Sequence, residues 1–222
     1  MMSKSRSFLK QLRGYSIRAR DGQIGKITDS LFDDTDWVVR YFVVDTGDWL
    51  LKREVLISPE GCDRTEWSRG VMVADLTREQ VKSCPKIDLA DPVSRQFQLD
   101  LHSFYRWPLW RPRADSSPTG PLGDTHLRSV REVAGYYIQA NDGEIGHVED
   151  LLVEEETWTI EYMVVDTRNW LPGRKVLVAP HWIDNITYSG RRVEINKSRE
   201  EIEGGPPYDP AAAVKRTYEE GP

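Results

Sequence analysis

Apolar and polar residues alternate over several short stretches of this chain. Ser16–Arg20 alternates and predicts a short strand. The next apolar positions, Ile24, Ile27 and Leu31, change parity. A strand over Gln23–Phe32 must therefore contain one slipped residue, and Gly25 is the natural bulge site. Asp21-Gly22 predicts a two-residue hairpin turn with φ above zero at both central positions. Asp33-Asp34-Thr35-Asp36 reads as a second turn. Trp37–Thr46 has the strongest strand pattern. Val39, Tyr41 and Val43 line one face, and Val38, Arg40, Phe42 and Val44 the other. The first face is expected to point into the core; the second is apolar only at its far end, which needs a separate cover. A loop through Trp49 leads to a strand at Glu54–Ile57, with a further strand at Val71–Val73.

The same pattern returns 121 residues later. Gly14–Pro59 and Gly135–Pro180 are identical at 22 of 46 positions, so the chain reads as two tandem units. Thr77-Arg78-Glu79-Gln80 forms a capping box, and Ser198-Arg199-Glu200-Glu201 repeats it. Each helix is kept short by a following proline, Pro85 or Pro206. Asp91-Pro92 predicts the start of a longer helix, with Val93, Phe97, Leu101 and Phe104 or Tyr105 on one apolar stripe. That stripe is expected to pack on its own domain, with a partner-binding helix as the alternative. Arg106–Asp124 holds four prolines, two tryptophans and three arginines and is expected to be extended. Tyr208-Asp209-Pro210 and Val214…Tyr218 echo the region that follows the first copy, and this tail is expected to be only partly ordered. The resulting division is a basic N-terminal tail (1–13), domain 1 (14–90), helix and connector (91–126), domain 2 (127–207) and a C-terminal tail (208–222). Several short strands in so small a domain read as a barrel or sandwich.

Composition narrows the function. With 222 residues and a net charge of −6, the surface as a whole is a poor non-specific nucleic-acid binder, although a local patch is not excluded. Apolar runs such as Tyr41–Val44 are strand-sized, so no membrane insertion is expected. The basic N-terminus lacks the apolar core of a secretory signal and only faintly resembles a transit peptide. Cys62 and Cys84 align with Ile183 and Gly205, which argues against a shared disulfide staple and fits two free thiols in a reducing, cytoplasmic setting.

Taken as a set, Gly14-Tyr15, Asp21-Gly22-Gln23-Ile24-Gly25, Asp29-Ser30-Leu31, Trp37, Tyr41, Val43-Val44-Asp45-Thr46, Trp49-Leu50 and Val55–Pro59 resemble the PRC-barrel family. So do their counterparts in the second copy: Gly135-Tyr136, Asp142–Gly146, Asp150-Leu151-Leu152, Trp158, Tyr162, Val164–Thr167, Trp170-Leu171 and Val176–Pro180. The family is named for the photosynthetic reaction-centre H subunit. The resemblance implies two tandem small antiparallel β-barrels, mainly β, each followed by short helices, filled by side chains and without an active site. Members of the family include the H subunit's cytoplasmic domain, the C-terminal domain of a bacterial ribosome maturation factor, and stand-alone proteins. The sequence in hand carries neither the H subunit's membrane helix nor the maturation factor's additional N-terminal domain.

No catalytic, cofactor or metal constellation stands out. His102, His126, His147 and His181 share no ligand spacing. Asp33, Asp34, Asp36 and Glu154–Glu156 read as solvated hairpin tips rather than a cation site. Asp45 and Asp166 read as turn carboxylates, paired with Arg53 and Arg174. Trp49 and Trp170 either seal their units or form interface hot spots. Trp107 and Trp110, among Arg106, Arg111 and Arg113, form the best candidate interface, suited to a protein groove or to RNA stacking, or else a linker clamped onto its own unit. Arg40 and Glu161 occupy equivalent positions with opposite charge and read as a pair across an intramolecular pseudo-dimer, a homodimer being the alternative assembly. The preferred function is a non-enzymatic, cytoplasmic adaptor that binds another protein. An RNA- or ribosome-associated factor and a photosynthetic assembly factor are the alternatives.

Overall fold

A computed structural model describes residues 6–63, 69–89, 92–108, 126–167, 174–204 and 208. The chain divides into two compact units. The first unit is Leu12–Ser129; the second is Val130–Pro222 together with Met1–Gln11. Strands and helices are numbered in chain order, beginning with β1 (Arg6–Phe8) and α1 (Leu9–Leu12).

The first unit contains β2 (Ser16–Ala19), β3 (Gly22–Asp33), β4 (Val38–Asp45), β5 (Glu54–Ile57), β6 (Cys62–Asp63) and β7 (Val71–Ala74). They are followed by α2 (Arg78–Ser83), α3 (Arg95–Tyr105) and β8 (Leu127–Ser129). The sheet order is β5-β4-β3-β2-β7-β6, and β8 also pairs with β3. The second unit opens with α4 (Val130–Val133) and repeats the plan. Its strands are β9 (Tyr137–Ala140), β10 (Gly143–Glu154), β11 (Ile160–Asp166), β12 (Lys175–Val178), β13 (Ile183–Thr187) and β14 (Arg192–Ile195), and α5 (Arg199–Glu203) follows. The sheet order is β12-β11-β10-β9-β14-β13, with β1 paired to β10. The chain is thus two mainly-β units of seven strands each. Two details differ from the expectation. One pairing in each sheet, β2 with β7 and β9 with β14, is parallel. Each sheet also stays open: its end strands, β5 and β6 in the first unit and β12 and β13 in the second, do not pair with each other among the described residues.

The glycine motif explains itself in coordinates. A Cβ on Gly25 would lie 2.1 Å from the Asp45 carbonyl oxygen, and one on Gly146 would lie 2.0 Å from that of Asp166. The ladder slips beside both positions, where the bulge is expected. The hairpin turn itself is shifted. Ala19 pairs with Gly22, so the loop residues are Arg20 and Asp21, and Gly22 follows with φ +150°. Asp21 is instead used by α2: its carboxylate accepts the Arg78 backbone N–H at 2.8 Å, and Asp142 does the same for Arg199 at 2.9 Å. Both capping boxes are complete.

One strand of each sheet comes from the segment that precedes the other repeat. Arg6–Phe8, in the region read as a basic tail, pairs with Leu152–Glu154, and Leu127–Ser129 pairs with Leu31–Asp33. The two registers agree across the 121-residue offset. Side chains reinforce both. Arg6 pairs with Glu161, Ser7 donates to Glu155, and the Lys10 backbone N–H donates to Asp150 at 3.1 Å. In the first unit, His126 and Arg128 bond Asp34 at 2.8 and 2.6 Å, and Ser129 donates to Asp29.

β4 is buried on both faces from Val39 to Val44. The face holding Tyr41 is roofed by α3. The helix begins after Ser94, whose hydroxyl accepts the Phe97 N–H at 3.1 Å, rather than at Asp91-Pro92; Asp91 itself lies outside the described residues. The expected stripe is buried at Val93, Leu101 and Tyr105, with Phe104 exposed, and Gln98 and His102 join it. His102 turns inward because the Tyr41 hydroxyl lies in the core and must be bonded, and His102 Nε2 meets it at 2.8 Å. The helix does pack on its own unit.

Candidate interface

The loop between β4 and β5 is built from local hydrogen bonds. Asp45 accepts the Gly47 N–H at 2.8 Å, as a turn carboxylate should. Thr46 donates to the Arg53 carbonyl from its hydroxyl at 2.8 Å, and the Lys52 N–H donates to the Gly47 carbonyl at 2.7 Å. Arg53 does not pair with Asp45. Its guanidinium donates to the carbonyls of Lys82, Cys84 and Pro85, satisfying backbone groups at the end of α2 that the helix cannot satisfy itself. Trp49 lies half-buried in this loop; its indole N–H donates to the Ile24 carbonyl, and the Arg78 guanidinium stacks 4.2 Å from the ring centroid. Both contacts hold the ring against its own unit. What the loop offers outward is Leu51, which sequence reasoning passed over. Leu51 is 92% exposed, and it and Lys52 both hold left-handed backbone at φ 55° and 56°. A single exposed leucine is ordinary. Two successive non-glycine residues in this conformation are costly and persist only when their surroundings fix them. The corresponding loop of the second copy, with Trp170, lies outside the described residues.

Only part of the Trp/Arg connector is described. Trp107 packs on its own unit. It stacks on Tyr105 with centroids 4.4 Å apart, meets His102 edge-on and covers Gly61, where a Cβ would lie 2.9 Å from its indole nitrogen. Arg106 is exposed and caps α3 with φ 59°. Trp110, Arg111 and Arg113 lie outside the described residues. Burial holds the His102 imidazole below its ordinary range, so it acts as a neutral bridge between Tyr41 and the Pro108 carbonyl.

Arg40 and Glu161 each have a partner within their own unit. Arg40 is buried and bonds Asp36; Glu161 pairs with Arg6. The acidic hairpin tips are solvated only in part: Glu156 is exposed, as expected, but their first carboxylates are not. Asp33 and Glu154 are buried, and each folds its carboxylate back onto backbone N–H groups of the turn. Desolvation, aided by the Asp33 charge, raises the Asp36 carboxyl above its usual range. The exchanged strand supplies the partners of Asp34, which an isolated repeat would leave to water.

The described residues hold no cluster of three or more His, Cys, Asp or Glu side chains arranged to bind a metal. Cys62 and Cys84 are free thiols, and burial pushes Cys62 up to about 12. No described helix is long and apolar enough to cross a membrane. The sequence signature of the PRC-barrel domain matches residues 5–81 and again residues 127–202. An uncharacterized protein of Deinococcus radiodurans is 42% identical over 60 residues, which cover 27% of this chain. The match spans 21% of that relative's length.

Proposed function

The chain belongs to the PRC-barrel domain family, and from that premise we propose that it is a non-enzymatic adaptor that binds another protein through the loop carrying Leu51. The supporting observation is the presentation of that side chain. Leu51 stands out from a loop fastened by Asp45, Thr46, Trp49 and Arg53, in a backbone conformation an unconstrained leucine avoids. Fully burying a leucine against a partner is worth about 1.5–3 kcal/mol. A preorganised loop spends little of that on ordering. The cytoplasm is the setting that two free thiols fit. Trp107 weighs against an RNA platform on the connector, because one ring face is stacked on Tyr105.

The test is affinity capture from native lysate with and without nuclease, using the wild-type chain and Leu51→Asp. An adaptor keeps its protein partners after nuclease treatment and loses them in the variant, whose circular dichroism stays unchanged. Partners that vanish with nuclease point to RNA. Partners indifferent to Leu51→Asp remove the loop from the argument.

A further inference from the structure

β1 and β8 are repeats of each other, 121 residues apart, and each pairs with one long strand, β10 or β3. Arg6, Ser7 and Phe8 lie opposite Glu154, Val153 and Leu152; Leu127, Arg128 and Ser129 lie opposite Asp33, Phe32 and Leu31. The registers are equal, so the two docked strands correspond position by position. Arg6 is buried and pairs with Glu161 on β11. Its repeat is Leu127, and the repeat of Glu161 is Arg40 on β4, which is buried and bonds Asp36. Ser7 donates to Glu155; the repeats of that pair are Arg128 and Asp34, bonded at 2.6 Å. One strand thus carries its cation at its first position and the other at its second, and each cation meets a carboxylate.

We infer that Arg40 and Glu161 select the strand that each sheet accepts. Moving β1 onto β3 at the observed register puts Arg6 in the place of Leu127. Its guanidinium then comes to Arg40 as it now comes to Glu161. Asp36 already balances Arg40, so the second cation adds uncompensated charge to a site where Arg40 is 8% exposed. Asp34 meets Ser7 and loses the Arg128 guanidinium. Moving β8 onto β10 puts Leu127 in the place of Arg6 and takes from Glu161 the guanidinium that pairs with it. Three residues carry too little apolar pattern to choose between two sheets built alike. Specificity between such close alternatives needs a repulsive element as well as an attractive one. Arg40 is the first and Glu161 the second.

Hydrogen exchange on the full chain tests this through position 127. Leu127→Arg gives β8 the cation that β1 carries. It is expected to raise amide exchange of β8 and of Leu31–Asp33 about tenfold above that of Leu127→Gln, the response to a further loss of about 1.4 kcal/mol. The glutamine variant removes the leucine without adding charge, so the comparison isolates the cation. Adding Arg40→Glu and Asp36→Thr to Leu127→Arg gives the first sheet the set that Arg6, Glu161 and Thr157 form in the second. That triple variant is expected to bring exchange back to the Leu127→Gln level or below it. Exchange of β5 and β7 stays unchanged throughout and reports that the first unit is folded. Equal exchange in Leu127→Arg and Leu127→Gln overturns the inference. So does a triple variant that exchanges as fast as Leu127→Arg alone.

Discussion

Asp150 lies on β10 with its carboxyl pointed at the exchanged N-terminal segment. One oxygen accepts backbone N–H groups from Lys10 at 3.1 Å and Leu151 at 2.8 Å. Burial nevertheless dominates and lifts the carboxyl to about 6 from an ordinary 3.8, with Glu149 adding to the rise. The folded state therefore holds this proton more tightly than the unfolded state does. The stability it contributes is fully present below pH 3.8 and is lost as pH rises through 6. At 1.36 kcal/mol per tenfold, the ionised form costs the second unit about 3 kcal/mol at neutral pH. Asp150→Asn keeps an oxygen for the two backbone donors and removes the charge. The assay is urea unfolding of the wild type and the variant from pH 4 to pH 8, followed by circular dichroism. Subtracting the two curves cancels every other titrating group. The difference, variant minus wild type, should climb by about 2.4 kcal/mol across the range, most steeply between pH 4 and 6. Parallel curves would refute the reasoning, because they would mean that Asp150 is ionised at no net cost.

Other expectations follow from single contacts. Gly25→Ala should destabilise the first unit by about 1–3 kcal/mol, because its methyl meets the Asp45 carbonyl at 2.1 Å; thermal unfolding measures this, with Gly47→Ala, which has open space but positive φ, as a comparison. Thr77→Ala removes half of a capping box and should cost about 0.5–2 kcal/mol in urea unfolding. Arg6→Met leaves Glu161 in a largely buried site without this partner and should cost the second unit about 3–5 kcal/mol, recovered in part by the double variant Arg6→Met with Glu161→Gln. An Arg6→Met chain as stable as wild type would remove β1 from the account of that unit's stability.

How far the sequence could be read depended on the range of the interaction concerned. β3, β4, β5, β7 and both capping boxes follow from patterns within about ten residues, and the structure has them where the pattern puts them. The apolar part of the inward side of α3, Leu101 and Tyr105, was legible, but its polar part was not. His102 is drawn inward by the Tyr41 hydroxyl, 61 residues away in sequence. The exchanged strands were hidden for the same reason. Arg-Ser-Phe is too short to alternate, and its partner Leu152–Glu154 lies almost 150 residues downstream. The acidic tips misled because carboxylates in a turn read as solvated until something is known to lie over them. His126 and Arg128 are what lies over Asp34.

That exchange sets a timetable for synthesis. β1 leaves the ribosome before β10, and Glu154, the partner of Arg6, is made 148 residues later. At about 5–20 residues per second, the gap is roughly 7–30 s. Phe8 and Leu9, buried in the finished protein, spend that interval without the sheet that receives β1. The first unit waits too, since β8 arrives only after the connector has been translated. The nascent chain therefore carries the unpaired apolar residues Phe8 and Leu9 and an unpaired edge on β3 at the same time, and this is the stage at which a chaperone or a premature self-association would act on it.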